Sequence, residues 1–355
     1  MAKVRLVDIA EKVGVSQVTV HNALSGNKGV SPELREKIQQ VAEEMGYQTL
    51  ARQKKQLQYQ EEPKKIGVLI AENYLAEYTT YYWKIYQELA LNATEKRCFT
   101  IVEVLTREME KRTFVMPQFI MDESVDGLII IGEIDRRYIA RLKETTDIPV
   151  IYLDFYDKDL AKDAVVADNF YGMYLMTELL FAHGLEQLGF VGSIYATSSI
   201  MDRYCGFSKS MLEHHKAIQP EWVVEDRDEM GKIILELPER LPQAFVCNCD
   251  YVAGILIHKL WERGLRVPED ISVVGFDNYL AAGGAGYVYP FGDVKITTYE
   301  VNTKMMTKVA LNKVLKRIAN PGYSPNLEVV SGHVVVKKTV RNCKQIVRGM
   351  TADSN

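Results

Sequence analysis

Apolar residues in the first 47 positions recur at helical spacing in three short blocks. Leu6, Ile9, Ala10 and Val13 share one face of a predicted helix that stops at Gly14. Ser16 is a good N-cap for a second helix, with Val20, Ala23 and Leu24 on its buried face. After the turn Ser25-Gly26-Asn27-Lys28-Gly29, Ser31 caps a third helix that has Pro32 at its first position. Leu34, Ile38, Val41, Ala42 and Met45 supply its apolar stripe, and Gly46 ends it. The pattern then lapses. Residues 48–63 are polar, rich in Gln and Lys, and bounded by Pro63, which predicts a linker with too little apolar surface to be stable alone.

From Lys65 onward short apolar runs alternate with amphipathic stretches. Strands are predicted at Ile66–Ala71, Phe99–Leu105, Gly127–Ile131, Val150–Asp154, Leu188–Gly192, Ala244–Cys247, Ile271–Phe276 and Val294–Thr298. Helices are predicted at Phe170–Phe181, Tyr251–Arg263 and Val301–Ile318. Strands buried on both faces and joined by helices imply doubly wound parallel sheets. The runs are too many for one sheet of ordinary size, so two α/β lobes are expected. Ligands bind such sheets at the carboxyl ends of the strands, and two facing lobes make a cleft.

Charge sharpens this division. The chain carries 43 basic and 47 acidic side chains, a net −4. Residues 1–65 hold 11 Lys and Arg against 8 Asp and Glu, or +3, which leaves −7 for the rest. A mildly basic amino-terminal segment on an acidic body fits a polyanion partner at one end only. With 47% hydrophobic and 25% charged residues, a disordered, collagen-like or coiled-coil chain is excluded. The 5 cysteines form no disulfide framework, which together with the missing signal-peptide and membrane-length runs predicts a cytoplasmic protein with no membrane partner. No Gly-x-Ser-x-Gly elbow occurs, no His sits beside a nucleophile motif, and the glycines of 278–292 lack the Gly-Lys-Ser/Thr of a phosphate loop. Neither an enzyme nor a cofactor is expected. Cys247 and Cys249 have no other Cys or His pair to complete a tetrahedral zinc set.

The helices flanking Gly14 have helix-turn-helix spacing, and a second helix of this kind fits the DNA major groove, which is ~12 Å wide. Gln17, Val18, His21 and Asn22 would point outward from it. Gln and Asn can pair with adenine edges, and Val18 can touch a thymine methyl. A plain three-helix bundle with a polar surface has the same spacing.

At these residues the chain resembles the lac/gal repressor family. The likeness runs through Val7-Asp8-Ile9-Ala10, Gly14-Val15-Ser16, Thr19-Val20, Ala23-Leu24-Ser25-Gly26, Val30-Ser31, Arg35-Glu36-Lys37-Ile38 and Met45-Gly46-Tyr47. It continues through Asp126-Gly127-Leu128-Ile129-Ile130, Asp168, Gly172, and Arg203 with Gly206-Phe207. It is strongest in Gly264-Leu265-Arg266-Val267-Pro268-Glu269-Asp270-Ile271-Ser272-Val273-Val274-Gly275-Phe276-Asp277-Asn278, and covers about residues 4–341. The resemblance implies an all-α helix-turn-helix headpiece (1–47), a hinge (48–63) and a two-lobed α/β effector domain like periplasmic sugar-binding proteins (64–341), then a tail (342–355). Three crossings between lobes would give a first lobe of about 64–165 plus 295–322 and a second of 166–294 plus 323–341. It implies a cytoplasmic, nucleoid-associated homodimeric repressor on a pseudo-palindromic operator, with a carbohydrate effector; some members also use a phosphocarrier protein corepressor.

Carried onto this chain, the DNA-contacting set is Leu6, Ser16, Gln17, Val18, Thr19, His21, Asn22, Ser31, Arg52 and Lys54. The ligand set is Tyr81, Trp83, Asp154, Phe155, Phe170, Arg203, Cys249 and Asp277, with Tyr78, Tyr82, Tyr86 and Tyr195 as further aromatics and Tyr82 and Tyr86 at core spacing. Three departures stand out. His21-Asn22 replaces the usual Ser-Arg, so the base there should be adenine rather than guanine. The linker lacks Pro-Asn and offers Lys54 or Gln56 where the family has a wedging leucine, with Leu57 nearby, so a weaker operator kink is expected. Cys249-Asp250 replaces Asn-Asp, with Asn248 one position early and facing the other way, so the ligand should be less polar there than a simple hexose. The long loop 278–292, with Tyr287, Tyr289 and Phe291, is expected to lie at the cleft mouth.

Overall fold

Three helices of the amino-terminal unit enclose a small apolar core in the computed structural model, which describes residues 4–47, 62–75, 80–228, 231–279 and 294–341. They are α1 (Leu6–Val13), α2 (Gln17–Leu24) and α3 (Pro32–Glu44). Ile9, Ala10, Val20, Ala23, Ile38 and Ala42 are buried together, as their spacing predicted. The turn between α1 and α2 works because Gly14 takes φ 76° and Ser16 then accepts from the Thr19 amide at 3.1 Å. Arg35 of α3 donates to the carbonyls of Asn22 and Ala23 at 3.2 and 2.8 Å and so fixes the end of α2. Most of the linker, with Arg52, Lys54, Gln56 and Leu57, lies outside the described residues, as does 342–355.

The chain divides after Pro63, and the larger unit contains two six-stranded sheets. The first is built from β1 (Lys65–Ala71), β2 (Phe99–Leu105), β3 (Gly127–Ile131), β4 (Val150–Leu153), β5 (Ala164–Ala167) and β11 (Leu327–Val330), in the order β11-β5-β4-β3-β1-β2. The second contains β6 (Leu188–Val191), β7 (Val223–Val224), β8 (Ala244–Cys247), β9 (Ser272–Asp277), β10 (Thr297–Glu300) and β12 (His333–Val335), in the order β12-β10-β9-β8-β6-β7. All pairings are parallel except β10 with β12. Around the first sheet lie α4 (Thr80–Glu95), α5 (Gln118–Met121), α6 (Arg136–Thr145) and α10 (Thr303–Ala319). The second carries α7 (Asn169–Ala182), α8 (Ser198–Glu213) and α9 (Asp250–Glu262).

Two features differ from expectation. β5, β7, β11 and β12 were not predicted, because they are short edge or near-edge strands of two to four residues. The lobe boundaries also move. Residues 297–300 pair with β9 in the second sheet, where Tyr299 stacks on Phe276 with ring centres 4.9 Å apart, rather than beginning the return to the first lobe at 295. The chain crosses only after Glu300, and β11 then pairs with β5, so the last crossing falls after Val330 and not at 322. A single buried cluster runs from Ile66, Ile85 and Val165 through Val301 to Phe207 and Phe276, so the lobes share a continuous core near their crossings.

Strand order reverses beside β1 in one sheet and beside β6 in the other. The carboxyl ends next to such switch points are where doubly wound sheets open a crevice.

Candidate functional site

Polar residues collect just past those strand ends. Glu133 follows β3 and Asp154 follows β4; across the cleft Asn248 and Cys249 follow β8, and Asp277 ends β9. Asp154 and Asp277 hold φ values of 71° and 92°, a left-handed conformation costing about 1–3 kcal/mol each unless the surroundings fix it. Both are buried.

Arg203, buried on α8, joins the pieces of the second lobe. Its Nε donates to Asn169 Oδ1 at 2.8 Å, Nη1 to the Asn248 carbonyl at 2.6 Å and Nη2 to Asp277 Oδ1 at 3.0 Å. Its guanidinium lies 4.0 Å from the centre of the Phe276 ring. Burial works against the Arg203 charge, but Asp277 and Asp154 outweigh it and the group is held more firmly protonated. Burial pushes the Asp277 carboxyl above its ordinary range against the pull of Arg203.

Asp154 lacks such a partner. Burial raises its carboxyl to about 7; Arg203 and a Tyr82 hydrogen bond oppose the rise, and Asp277 and Glu133 add to it. Among the described residues Asp154 Oδ1 accepts no hydrogen bond, and the buried Tyr81 hydroxyl makes none either. Such orphans are costly in a folded protein unless a water, an ion or a ligand answers them. Cys249 caps α9 half-buried, its thiol pushed up to about 12, first by burial and next by Asp277. Nearby, Asp226 is bound by Arg227 at 2.6 Å, by the Asn248 amide at 2.7 Å and by the Ser193 amide at 2.8 Å.

Two contacts close the cleft. The Ser198 amide and hydroxyl donate to Glu133 Oε2 at 2.9 and 3.2 Å, and the Tyr156 hydroxyl reaches both oxygens of Asp202 at 3.1 Å. Hydrogen bonds to charged groups contribute about 1.5–3 kcal/mol each. Glu133→Ala with Tyr156→Phe should therefore open the ligand-free lobes, read as a larger radius of gyration by X-ray scattering. An unchanged radius would mean that these bonds do not hold the lobes together.

Of the expected ligand residues, the cleft gathers Tyr81, Asp154, Arg203, Cys249 and Asp277. Two others lie elsewhere. Phe155 packs edge-on against Tyr152 inside the first lobe, ring centres 5.1 Å apart. Trp83 is exposed on α4 beside Tyr86, because the inward positions of that helix are Tyr81, Ile85 and Leu89. Phe170 is exposed at the start of α7, and Tyr195 more so. Tyr82 packs on the lobe core with Tyr86, as their core spacing predicted, and its hydroxyl also acts on the Asp154 carboxyl. Sequence reasoning missed Glu133, Tyr156, Asn169, Ser198, Asp202 and the Asp226–Arg227 pair. The last sits in Glu225-Asp226-Arg227-Asp228, which reads as a solvated charge run. Asn248 donates its side-chain amide to Asp226, and its carbonyl holds Arg203. Tyr78, Tyr287, Tyr289 and Phe291 lie outside the described residues. Among the described residues no group of three or more His, Cys, Asp or Glu could hold a metal, and no helix is long and apolar enough to cross a membrane.

On the amino-terminal unit, Gln17, Val18 and His21 are exposed on one side of α2, Val18 at 68%. Asn22 is half-buried, and its Oδ1 accepts from the Asn27 amide at 3.3 Å. Ser16 and Thr19 bond to each other at 2.9 Å, and Ser31 caps α3 by accepting from the Leu34 amide. Leu6 packs on the small core rather than standing free.

Residues 5–49 match the model described as bacterial regulatory proteins, lacI family, and residues 177–340 match that of a periplasmic binding protein-like domain. The chain belongs to the lacI family. Among curated members, an HTH-type transcriptional repressor PurR of Histophilus somni is 26% identical over 94% of this chain and 98% of its own length. A ribose operon repressor of Haemophilus influenzae is 25% identical over 95% and 98%. Of the solved lacI-like structures, a CelR–cellobiose complex superposes with a TM-score of 0.64 at 17% identity, covering 95% of this chain and 100% of the other. A lac repressor dimer bound to operator and an anti-inducer gives 0.62 at 22% identity, covering 95% and 99%. At these identities the structures show a shared fold.

Proposed function

We propose that this lacI-family chain is a cytoplasmic, homodimeric transcriptional repressor whose operator affinity is set by a small effector in the interlobe cleft. One observation carries the reading: a helix-turn-helix with an open Gln17, Val18 and His21 face is joined to a cleft where Asp154 and Tyr81 keep buried, unanswered polar atoms. Relatives named as repressors, and neighbours solved with cellobiose and with operator, support it. A homodimer is supported by apolar side chains left exposed on α4 and the edge strand β2, namely Trp83, Leu91, Phe99, Ile101, Val102 and Val104. Paired headpieces then read a pseudo-palindromic operator. A ligand changes operator affinity only as far as it prefers one arrangement of the lobes over another.

Gln17 and Val18 provide base contacts in this reading, and Ser16, Thr19 and Ser31 set the helix positions behind them. Asn22 reads adenine once its bond to Asn27 gives way. Selection of operator half-sites from random duplexes tests this directly. Gln17→Ala and Val18→Ala should each weaken the selected site by about 1–3 kcal/mol and relax the preference at one base pair. Failure of the protein to bind any duplex at low ionic strength, with or without metabolites, would remove the proposal.

A further inference from the structure

The floor of the cleft has an excess of negative charge that the protein leaves uncompensated. Asp154 from the first lobe and Asp277 from the second face the same guanidinium, Arg203, and the direct ion pair goes to Asp277 at 3.0 Å. Glu133 adds a further negative charge near Asp154 and is engaged by Ser198, which is neutral. The charge of Asp226 is already matched by Arg227, and Lys84 acts on Asp277. Asp154 therefore has half its carboxylate unbonded and no cation of its own.

Tyrosines crowd the same carboxylate. The Tyr82 hydroxyl pulls the Asp154 carboxyl down against its burial. The ring of Tyr81 meets that of Tyr82 edge-on with centres 5.2 Å apart and approaches Tyr279 at 6.0 Å, while Tyr74 lies 4.3 Å from Tyr82. The Tyr81 hydroxyl has no partner among the described residues. A buried carboxylate beside clustered aromatic faces is the chemistry that recognises an organic cation.

We infer that the effector carries an ammonium group, as an amino sugar does, seated between the Asp154 carboxylate and the rings of Tyr81 and Tyr82; this rests on reading the cleft as the effector site. An ammonium supplies both the hydrogen bond that Oδ1 lacks and the missing counter-charge. A neutral sugar hydroxyl supplies only the hydrogen bond, leaving a charge buried. A phosphate or carboxylate ligand would meet Asp154, Asp277 and Glu133, and the guanidinium that faces them, Arg203, already uses three of its five N–H groups. The remaining ring hydroxyls of an amino sugar suit the Tyr81 hydroxyl and the two N–H groups of Arg203 that are left.

Calorimetric titration of the full chain with glucosamine, galactosamine and mannosamine, each against glucose, galactose or mannose, tests the inference. At least one amine should bind about tenfold or more tightly than its hydroxyl counterpart. Asp154→Asn should erase that preference, and Tyr81→Phe should weaken binding about threefold to tenfold. The groups facing Asp154 are Arg203, Asp277, Glu133, Tyr74, Tyr81 and Tyr82, and burial among them holds the Asp154 carboxyl at about 7. Amine affinity should then fall by up to about tenfold per pH unit below 7 in the parent and stay flat in Asp154→Asn. Neutral sugars binding as well as the amines, and weakened by Tyr81→Phe, would overturn the amine inference and keep the cleft. Amine binding untouched by either substitution would place the ligand elsewhere and overturn both. No binding by any of the three amines overturns the inference, while binding of a neutral sugar in the same titrations, weakened by Tyr81→Phe, keeps the cleft reading.

Discussion

Arg203→Ala is expected to destabilise the larger unit by about 3–5 kcal/mol and to abolish effector binding. The side chain satisfies three acceptors in a buried place: Asn169 Oδ1, the Asn248 carbonyl and Asp277 Oδ1. Its removal strands Asp277 as a charge without a partner and leaves Asp154 with only negative neighbours. For a unit of this size the loss should lower the melting temperature by roughly 10 °C. The deficit should be pH-dependent, with a sign fixed by the carboxylates. Burial already pushes both acids up, and without Arg203 they rise further, so each is relieved by taking a proton. The variant should be most impaired near pH 8 and recover part of its deficit near pH 5. A deficit of equal size at both values would show that lost packing on Phe276, rather than charge, dominates. Arg203→Lys should recover only a fraction, because an ammonium cannot reach three acceptors in one plane while lying flat on the Phe276 ring.

The helices of the amino-terminal unit were legible because each carries its own punctuation. Gly14, Ser16, Ser31, Pro32 and Gly46 mark boundaries through local backbone chemistry, and the buried set follows from 3.6-residue spacing alone. The central strands were legible for a similar reason, since a strand covered on both faces is an unbroken apolar run, as in Gly127–Ile131. The crossings between lobes left no such mark. Whether Thr297–Glu300 pairs with β9 or with the first sheet depends on Tyr299 finding Phe276 and the side-chain-free face of Gly172, which are far away in sequence. A methyl group on Gly172 would stand 2.8 Å from the Tyr299 ring, so the missing side chain makes room for this strand.

The site was half legible. Arg203 and Asp277 came from a resemblance to a known family, and the geometry gives their pairing a physical reason that spacing could not supply. Tyr82 sits at core spacing and packs on the core, but helical periodicity does not say which core positions also face the cleft. Tyr81, Ile85 and Leu89 are buried with Tyr82 and Tyr86 packed beside them, and both Tyr81 and Tyr82 feel the Asp154 carboxylate. The closing contacts were invisible for another reason. Glu133 and Ser198 lie 65 residues apart, and neither has a sequence context that distinguishes it from a surface residue. What the sequence signals well is what a segment does for itself; the cleft is made by what distant segments do for one another.

Asp154→Asn should make the protein more stable at pH 8 while removing its effector response. The carboxyl titrates at about 7 in the folded chain against an ordinary 3.8. Below about pH 4 folded and unfolded chains both hold the proton, and the group contributes nothing. As pH rises the unfolded chain releases it first, so stability is lost between about pH 4 and 7 and the full cost is present above 7. The difference corresponds to an upper limit of about 4 kcal/mol, and structural relaxation brings the expected gain from Asn to about 1–3 kcal/mol. Melting curves from pH 4 to 8 should show the variant level with the parent at the acid end and several degrees above it at the alkaline end. The same substitution should leave operator binding intact and make it unresponsive to the ligand, because the charge that destabilises the empty cleft is the one the ligand neutralises. A variant equal to the parent at every pH would show that Asp154 is hydrated in solution, and the unmet demand on which ligand recognition rests would vanish with it. Stabilisation of the same size at pH 5 and pH 8 would locate the gain in packing instead. Only a gain that grows with pH ties the cost of the empty site to the charge that recognises its occupant.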